Sequence, residues 1–350
     1  MSLSVGNASY DAFEYGNLTY NTSLFDAYID MFLPSDFERI LINYIIPVVV
    51  AFGIVGNIMT FIVMVSKLHT TVYVYLANLA IADTMNLIIG PSKIWISEDL
   101  IPVNYTIDEM EINNFECGLF DYFSNCALHA GVLTIVGLSI ERYMAVCRPF
   151  QFKTSRFGTS RSVKMCVVIW IFCFSVNTVA FVYAIRESII LPWPDMYRGI
   201  SNRATICGYN PSYNTLCTIL WILNLTVNML LIISMVILYS LMLYSIRKSR
   251  KKVSNSREND PHSKSERKIF WTVFVTVAVY VILVQPLYLF GILYFFNILG
   301  SGNSLFLNIC RFLTYLNSSV NPLIYNVVND GFRREFVDVF YRRIRTRLIR

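Results

Sequence analysis

A chain of 350 residues that is 55% hydrophobic and only 15% charged lies far from the roughly 25% charged content of soluble domains, so most of it is built for a bilayer. Its 29 basic and 23 acidic residues leave a net charge of +6, and its three histidines, His69, His129 and His262, stand far apart. These features exclude an ordinary soluble enzyme or a nucleic-acid binder, and no metal or nucleophile cluster is apparent that would make a membrane enzyme.

Residues 1–38 are polar, rich in Asn, Ser, Tyr and acids, and carry Asn-X-Ser/Thr sequons at Asn7, Asn17 and Asn21; a fourth lies at Asn104. This segment lacks a cleavable apolar core, so the first long apolar stretch is expected to act as its own insertion signal. A membrane helix needs about 20 mostly apolar residues, and seven stretches qualify: 41–66, 73–97, 117–140, 165–185, 214–244, 269–297 and 304–328. Basic residues gather on the cytosolic side of a membrane protein. Only six of the 29, Arg39, Lys93, Arg186, Arg198, Arg203 and Arg311, share a side with the N-terminus, against 23 on the other. The predicted topology at the plasma membrane is therefore N-terminus outside and C-terminus cytosolic, with all four sequons outside. Two more sequons, at Asn224 and Asn317, fall inside spans and are expected to go unused. Fifteen of the 23 acids lie on or near the outer side. Such a face attracts a cationic ligand, while the basic inner face meets anionic lipid headgroups; setting topology is the plainer reading of the inner charge.

The first span carries Gly53 and Gly56-Asn57, small residues that let helices approach, with Asn57 as an interhelical hydrogen-bond partner. The second buries Asp83 about halfway across, where a carboxylate needs a partner, a cation or a proton; a structural aspartate bonded to neighbouring helices is the alternative. Pro91 should kink its outer half. The third ends in Glu141-Arg142-Tyr143, which is either an intramembrane switch or an arginine whose head reaches the lipid phosphates at the membrane edge. Of the cysteines, Cys126, Cys147, Cys166, Cys173, Cys217 and Cys310 lie in or at the ends of spans as ordinary core residues. Cys117 and Cys207 sit on the oxidising outer side and are expected to form a disulfide, two unrelated free thiols being the alternative.

The loop from Arg186 to Tyr213, with Pro192-Trp193-Pro194, is long enough to cover a cavity or to form a short hairpin. The longest inner loop, basic and polar, runs from Arg247 to Lys268. The sixth span holds Pro286. The seventh ends in Asn321-Pro322-Leu323-Ile324-Tyr325, where the proline frees a carbonyl that Asn321 can bond or hydrate, leaving a soft joint. Beyond Asp330-Gly331, Phe332, Phe336 and Phe340 recur every fourth residue among arginines. That pattern predicts an amphipathic helix lying on the inner membrane surface or docking on protein. Three regions result: an extracellular glycosylated segment 1–38, a seven-helix domain 39–330, and a cytosolic helix with a basic tail 331–350.

Gly56-Asn57, Leu79-Ala80-Ile81-Ala82-Asp83, Cys117 with Cys207, Glu141-Arg142-Tyr143, Trp170, Pro286 and Asn321-Pro322-Leu323-Ile324-Tyr325 occur in order, one set to a helix. Together they closely resemble the rhodopsin-like (class A) G-protein-coupled receptors over residues 40–342. The resemblance implies an all-α fold, a seven-transmembrane helix bundle with a short eighth helix, with no catalytic residue and with a heterotrimeric G protein and arrestin as inner partners. It implies that Arg142 pairs with Glu141 at rest and meets the G protein when active. Glu266, at the foot of span six, falls where some members carry a second acid for that arginine, a lock that outward movement of span six would break; a solvated glutamate among Lys264, Arg267 and Lys268 is the plainer reading. Asn57, Asp83, Asn317 and Asn321 match a buried polar cluster that often holds a sodium ion, but the usual serine ligand falls at Gly131. Tyr239 and Tyr325 match tyrosines that reorganise on activation. Val284 replaces the usual aromatic residue two before Pro286, and Leu231 the usual proline of span five, so the triggering packing differs from the common scheme.

Ser124 stands where amine receptors carry an aspartate, and no lysine follows Lys268 to bind retinal, so neither ligand is expected. An acidic mouth of Glu98, Asp99, Glu116 and Asp121 suits an extracellular peptide, cationic or amidated. The stretch from Ser139 to Phe150 resembles neuropeptide receptors of the type that bind neuromedin, thyrotropin-releasing hormone or FMRFamide-like peptides. Expected ligand contacts are Glu98, Asp121, Ser124, Asn125, Tyr288, Arg311 and Tyr315. Lys93 and Arg311 either pair with Glu98 and Asp121 or hold an acidic ligand. A class A receptor for a small molecule or lipid is the alternative; a transporter would show repeated halves with matching broken helices, and no such symmetry is seen.

Overall fold

The computed structural model describes residues 35–66, 70–97, 114–154, 158–190, 203–209, 214–252, 261–296, 304–328 and 330–348. The sequons at Asn7, Asn17, Asn21 and Asn104 lie outside these residues, as do Glu98 and Asp99. The long helices are α1 (Asp36–Val65), α2 (Thr71–Ser97), α3 (Asn114–Cys147), α4 (Thr159–Tyr183), α5 (Asn214–Lys252), α6 (Pro261–Phe295), α7 (Ser304–Val328) and α8 (Asp330–Leu348), with a six-residue helix, Pro149–Thr154, after α3. The loop after α4 is a hairpin. Strands β1 (Ala184–Ile190) and β2 (Arg203–Tyr209) pair antiparallel from Ala184 opposite Tyr209 to Ile190 opposite Arg203, and β1 packs on α3. The all-helical expectation thus gains one small sheet.

The bundle is turned inside out relative to a soluble protein. Val48, Phe52, Val168, Ile171, Leu230, Val236 and Ile282 are exposed, whereas Asn57, Asn78, Asp83, Asn86, Asn228 and Asn321 are buried. A bilayer rewards that distribution, because lipid takes the apolar surface and every interior polar group needs a partner within the protein. Among the described residues six helices are long and apolar enough to cross a membrane, from α1 to α6. The remaining helix, α7, is 25 residues long but too polar to qualify by composition. Asn308, Thr314, Asn317, Ser318, Ser319 and Asn321 of α7 are all buried, so its polar groups face α1, α2 and α6, the helices it packs on.

The start of α1 shows how a sequence exception is absorbed. Ser35 and Glu38 cap it reciprocally, which satisfies two orphan amides. Residues Leu41–Ile45 then form a π-turn just before Pro47. Ile46 donates to the Leu41 carbonyl, so in that register the missing proline N–H leaves Ile42 O without a backbone donor. The Trp95 indole of α2 fills the place, donating to Ile42 O at 3.2 Å. Trp95→Phe should keep an aromatic side chain there and lose the bond, lowering thermal stability by about 1–2 kcal/mol; an unchanged melting temperature in detergent would refute this.

Proline is handled the same way in α7. Pro322 cannot donate to the carbonyl four residues back, Ser318 O. Asn57 Nδ2 of α1 donates there at 2.8 Å and to its own Gly53 O at 2.9 Å. Asn321, next to the proline, or water was expected to meet the freed carbonyl; Asn57 of α1 meets it, while Asn321 is turned toward Asp83 of α2. Close approach makes this bond reachable: a Cβ on Gly53 would stand 2.3 Å from Ser319 Oγ and 2.7 Å from Leu87 Cδ1, so only glycine fits. Ser319 Oγ also donates to Val49 O of α1 at 3.0 Å. A second tie crosses α2, α3 and α4: Trp170 Nε1 donates to Asn78 Oδ1 at 2.9 Å, and Asn78 Nδ2 donates to Thr134 Oγ1 at 2.6 Å.

Candidate functional site

At the inner end of α3, Arg142 Nη2 donates to Glu141 Oε1 at 2.7 Å, with side chains only 5% and 4% exposed. The Thr71 hydroxyl at the start of α2 donates to the same carboxylate oxygen. Thr71 had no sequence signal, being a polar residue at a helix start 70 positions away. An ion pair removed from water needs extra hydrogen bonds to offset its desolvation, and breaking it leaves an uncompensated charge. The arginine is therefore held inside the bundle, not extended toward lipid phosphates. Tyr143 is half-buried and packs against the main apolar cluster.

That cluster contains Tyr239 and Tyr325, the two tyrosines singled out in α5 and α7. Tyr239 is 4% exposed, with its hydroxyl 3.5 Å from Ser139 Oγ of α3. Tyr325 is buried edge-on to Phe332, ring centroids 5.9 Å apart. Phe332 itself is 2% exposed and Phe336 packs on the same cluster, so the phenylalanine stripe of α8 docks its first turns on the bundle. The side chains of Glu266 and Phe340 lie outside the described residues. What the foot of α6 does show is Lys268 Nζ 2.5 Å from Asp330 Oδ2, with Arg333 Nη2 2.9 Å from Asp330 Oδ1. Lys268, donating to it, holds the Asp330 carboxyl below the usual carboxylate range. This tie of α6 to α8 joins opposite charges at two helix ends, a signal present in the sequence but in no motif.

Midway across the membrane, Asp83 is 5% exposed and its Oδ2 accepts from Asn321 Nδ2 at 2.8 Å. Asn86 Nδ2 donates to Ser318 Oγ at 3.1 Å, and Asn317 is buried in the same region of α7. Asn86 Oδ1 and Asn321 Oδ1 are buried without a hydrogen-bond partner among the described residues. A carboxylate with neutral amide oxygens nearby matches the donor chemistry of a hard cation, and the residues present fit a sodium ion in that respect. Gly131 adds no oxygen, and a Cβ there would meet only Leu79.

The expected ligand residues do not all converge. Asp121, Ser124 and Asn125 lie half-buried along the outer part of α3, and Tyr288 on α6 packs against the main cluster. Arg311 Nη1 donates to Asn308 Oδ1 at 3.2 Å, and Asn308 Nδ2 donates to Glu38 Oε1 at 3.2 Å, a chain from α7 to the buried Glu38 in the first turn of α1. Tyr315 is 5% exposed within a separate cluster of α1, α2 and α7, its ring filling the space left by Gly90. A pocket of about 380 Å³ is found elsewhere, between α1 and α2, lined by Ile58, Phe61, Ala80, Ile81, Thr84 and Met85 among others. The side chains of Cys117 and Cys207 lie outside the described residues; backbone register sets Cys207 opposite Arg186 in the hairpin that packs on α3.

Compared with known protein families, residues 56–325 match the model described as 7 transmembrane receptor (rhodopsin family).

Proposed function

The chain belongs to the rhodopsin family of seven-transmembrane receptors, and from that premise we propose that it is a neuropeptide-type receptor for an extracellular peptide, cationic or amidated. The family is one of G-protein-coupled receptors in the membrane, so coupling to a heterotrimeric G protein follows from membership. The peptide reading is carried by one observation, the gathering of 15 of 23 acids on or near the outer side, a face suited to steering a basic ligand. Ser124 in place of an amine-binding acid agrees with it.

In this reading Glu141 and Thr71 keep Arg142 folded inward at rest. A peptide seated among the outer ends of the helices favours the arrangement in which α6 swings outward and Arg142 is freed for the G protein, with arrestin taking the same face later. Glu266 would add a second acid for the arginine, and Asp83 with the amide oxygens of Asn86 and Asn321 would hold a sodium ion. The N-terminus is outside with its sequons glycosylated. Screening amidated neuropeptides against cells expressing the full chain, with calcium and cyclic AMP as readouts, tests the ligand class: activation by one of them supports it, and activation only by lipids or non-peptide molecules overturns it.

A Cys117–Cys207 disulfide would anchor the hairpin to α3. Cys117→Ser and Cys207→Ser should then lose ligand binding to the same extent, with the double variant no worse than either. One single variant binding normally would rule the bridge out.

A further inference from the structure

The backbones of α5 and α6 approach each other only sparsely, whereas α6 packs closely along α7. Side chains therefore carry the α5 to α6 connection. At its inner end the link is aromatic, Tyr239 meeting Phe270 and Phe274 with ring centroids 5.9 and 5.7 Å apart. Apolar contact has no required direction and tolerates sliding.

Farther out the link is polar. Asn228 of α5 is 2% exposed; its Nδ2 donates to the Tyr280 hydroxyl at 3.4 Å, and its Oδ1 accepts from Gln285 Nε2 at 3.4 Å. Both partners are on α6, and Gln285 directly precedes Pro286, where the helix lacks a backbone bond and can bend. One turn along α5, Asn224 Oδ1 accepts from His129 Nε2 of α3 at 3.1 Å, while His129 Nδ1 accepts from Asn177 Nδ2 of α4 at 3.1 Å. Asn228 is thus mounted on a helix already tied to α3 and α4. The positions around it, Leu231 and the buried Val284, are apolar and supply no directional contact.

We propose that Asn228, Tyr280 and Gln285 form a polar latch holding α6 to α5 at rest, and that displacement of the outer part of α6 by ligand breaks it before the inner end can swing out. Inside a bilayer a parted amide finds no water, so the bonds resist partial opening and the latch has two arrangements, closed or exchanged. These three are positioning residues: none touches Arg142. The latch rests on the G-protein coupling of the family and not on the ligand being a peptide.

The test is ligand-free nucleotide exchange by the full chain in lipid nanodiscs, on a panel of purified heterotrimeric G proteins, at matched receptor amounts. Asn228→Leu removes both bonds and should raise basal exchange about five-fold, the population shift expected when two long hydrogen bonds together contribute about 1 kcal/mol. Tyr280→Phe and Gln285→Met, which keep side-chain volume, should each raise it less, and Asn228→Leu with Gln285→Met should exceed Asn228→Leu alone by nothing. Unchanged basal exchange in all three single variants, or strictly additive effects, overturns the latch. If Asn228→Leu does not fold, the two volume-preserving variants decide. Glu141→Gln serves as the positive control; failure of that control counts against coupling to the panel, and the latch is then judged without G protein. Spin labels at Val163 on α4 and Trp271 on α6, both exposed at the inner ends, should lie farther apart in Asn228→Leu, and an unchanged distance overturns the proposal.

Discussion

Arg142→Ala is expected to bring agonist-stimulated nucleotide exchange down to that of membranes without receptor, while the protein still reaches the cell surface. The guanidinium at the inner end of α3 is held by a buried acid, with Glu141 at 2.7 Å and Thr71 bonded to the same oxygen, and alanine leaves nothing to present to a G protein. Removing one partner of a buried pair costs about 3–5 kcal/mol where the other stays charged and enclosed. Here the Thr71 hydroxyl remains on Glu141, and the pair lies at the end of its span, where opening reaches water. The companion variant Glu141→Gln keeps the Thr71 contact, frees the arginine, and should raise exchange without ligand. Normal exchange by Arg142→Ala at normal surface levels would remove Arg142 from the mechanism. Loss of surface protein in Arg142→Ala but not in the double variant with Glu141→Gln would identify the unpaired carboxylate as the cause.

The second large effect concerns Asn57. Asn57→Leu leaves Ser318 O, freed by Pro322 and bonded at 2.8 Å, without a donor in the bundle interior. An unsatisfied buried carbonyl costs about 1–3 kcal/mol, and leucine must also fit where Asn57 is fully buried between helices drawn together at Gly53. Thermal unfolding in detergent should shift downward accordingly. The diagnostic experiment is a second substitution: Pro322→Ala restores a backbone N–H at 322 that can reach Ser318 O, so in the Asn57→Leu background it should recover part of the lost stability. In the unaltered background the same change has little to repair. Equal effects of Pro322→Ala in both backgrounds would show that the Asn57 bond does not serve the proline.

Both variants probe places where the residue was legible in the sequence and one of its contacts, Thr71 beside the Arg142 pair or Ser318 under Asn57, was not. Arg142, Glu141, Asp83, Asn57 and Asn321 all stand out as polar groups in apolar runs, since a bilayer makes each of them expensive. Thr71, Ser318, Asn86, Asn308 and Asn228 belong to none of those motifs, and nothing local in the sequence shows which partners a hydroxyl or amide will meet across the bundle. The freed carbonyl in α7, which Asn321 could have bonded or left to water, is held by a residue 261 positions away. Tyr315, expected at the ligand, packs against residues of α1 and α2.

By itself the sequence determined the membrane class, six of the seven expected spans and the motifs marking the family, including Asn-Pro within α7 and Glu-Arg-Tyr near the end of α3. These follow from apolar run length, proline stereochemistry and charge, each of which acts within a few residues. Only the tertiary structure decided which polar groups meet: Asp83 with Asn321 across 238 positions, Asn57 with Ser318, and Asn228 with Tyr280 and Gln285. Those pairings depend on the rotation and depth of each helix against its neighbours. In lipid that choice is made by small residues such as Gly53 and by hydrogen bonds that must all be satisfied together, and no single helix contains that information.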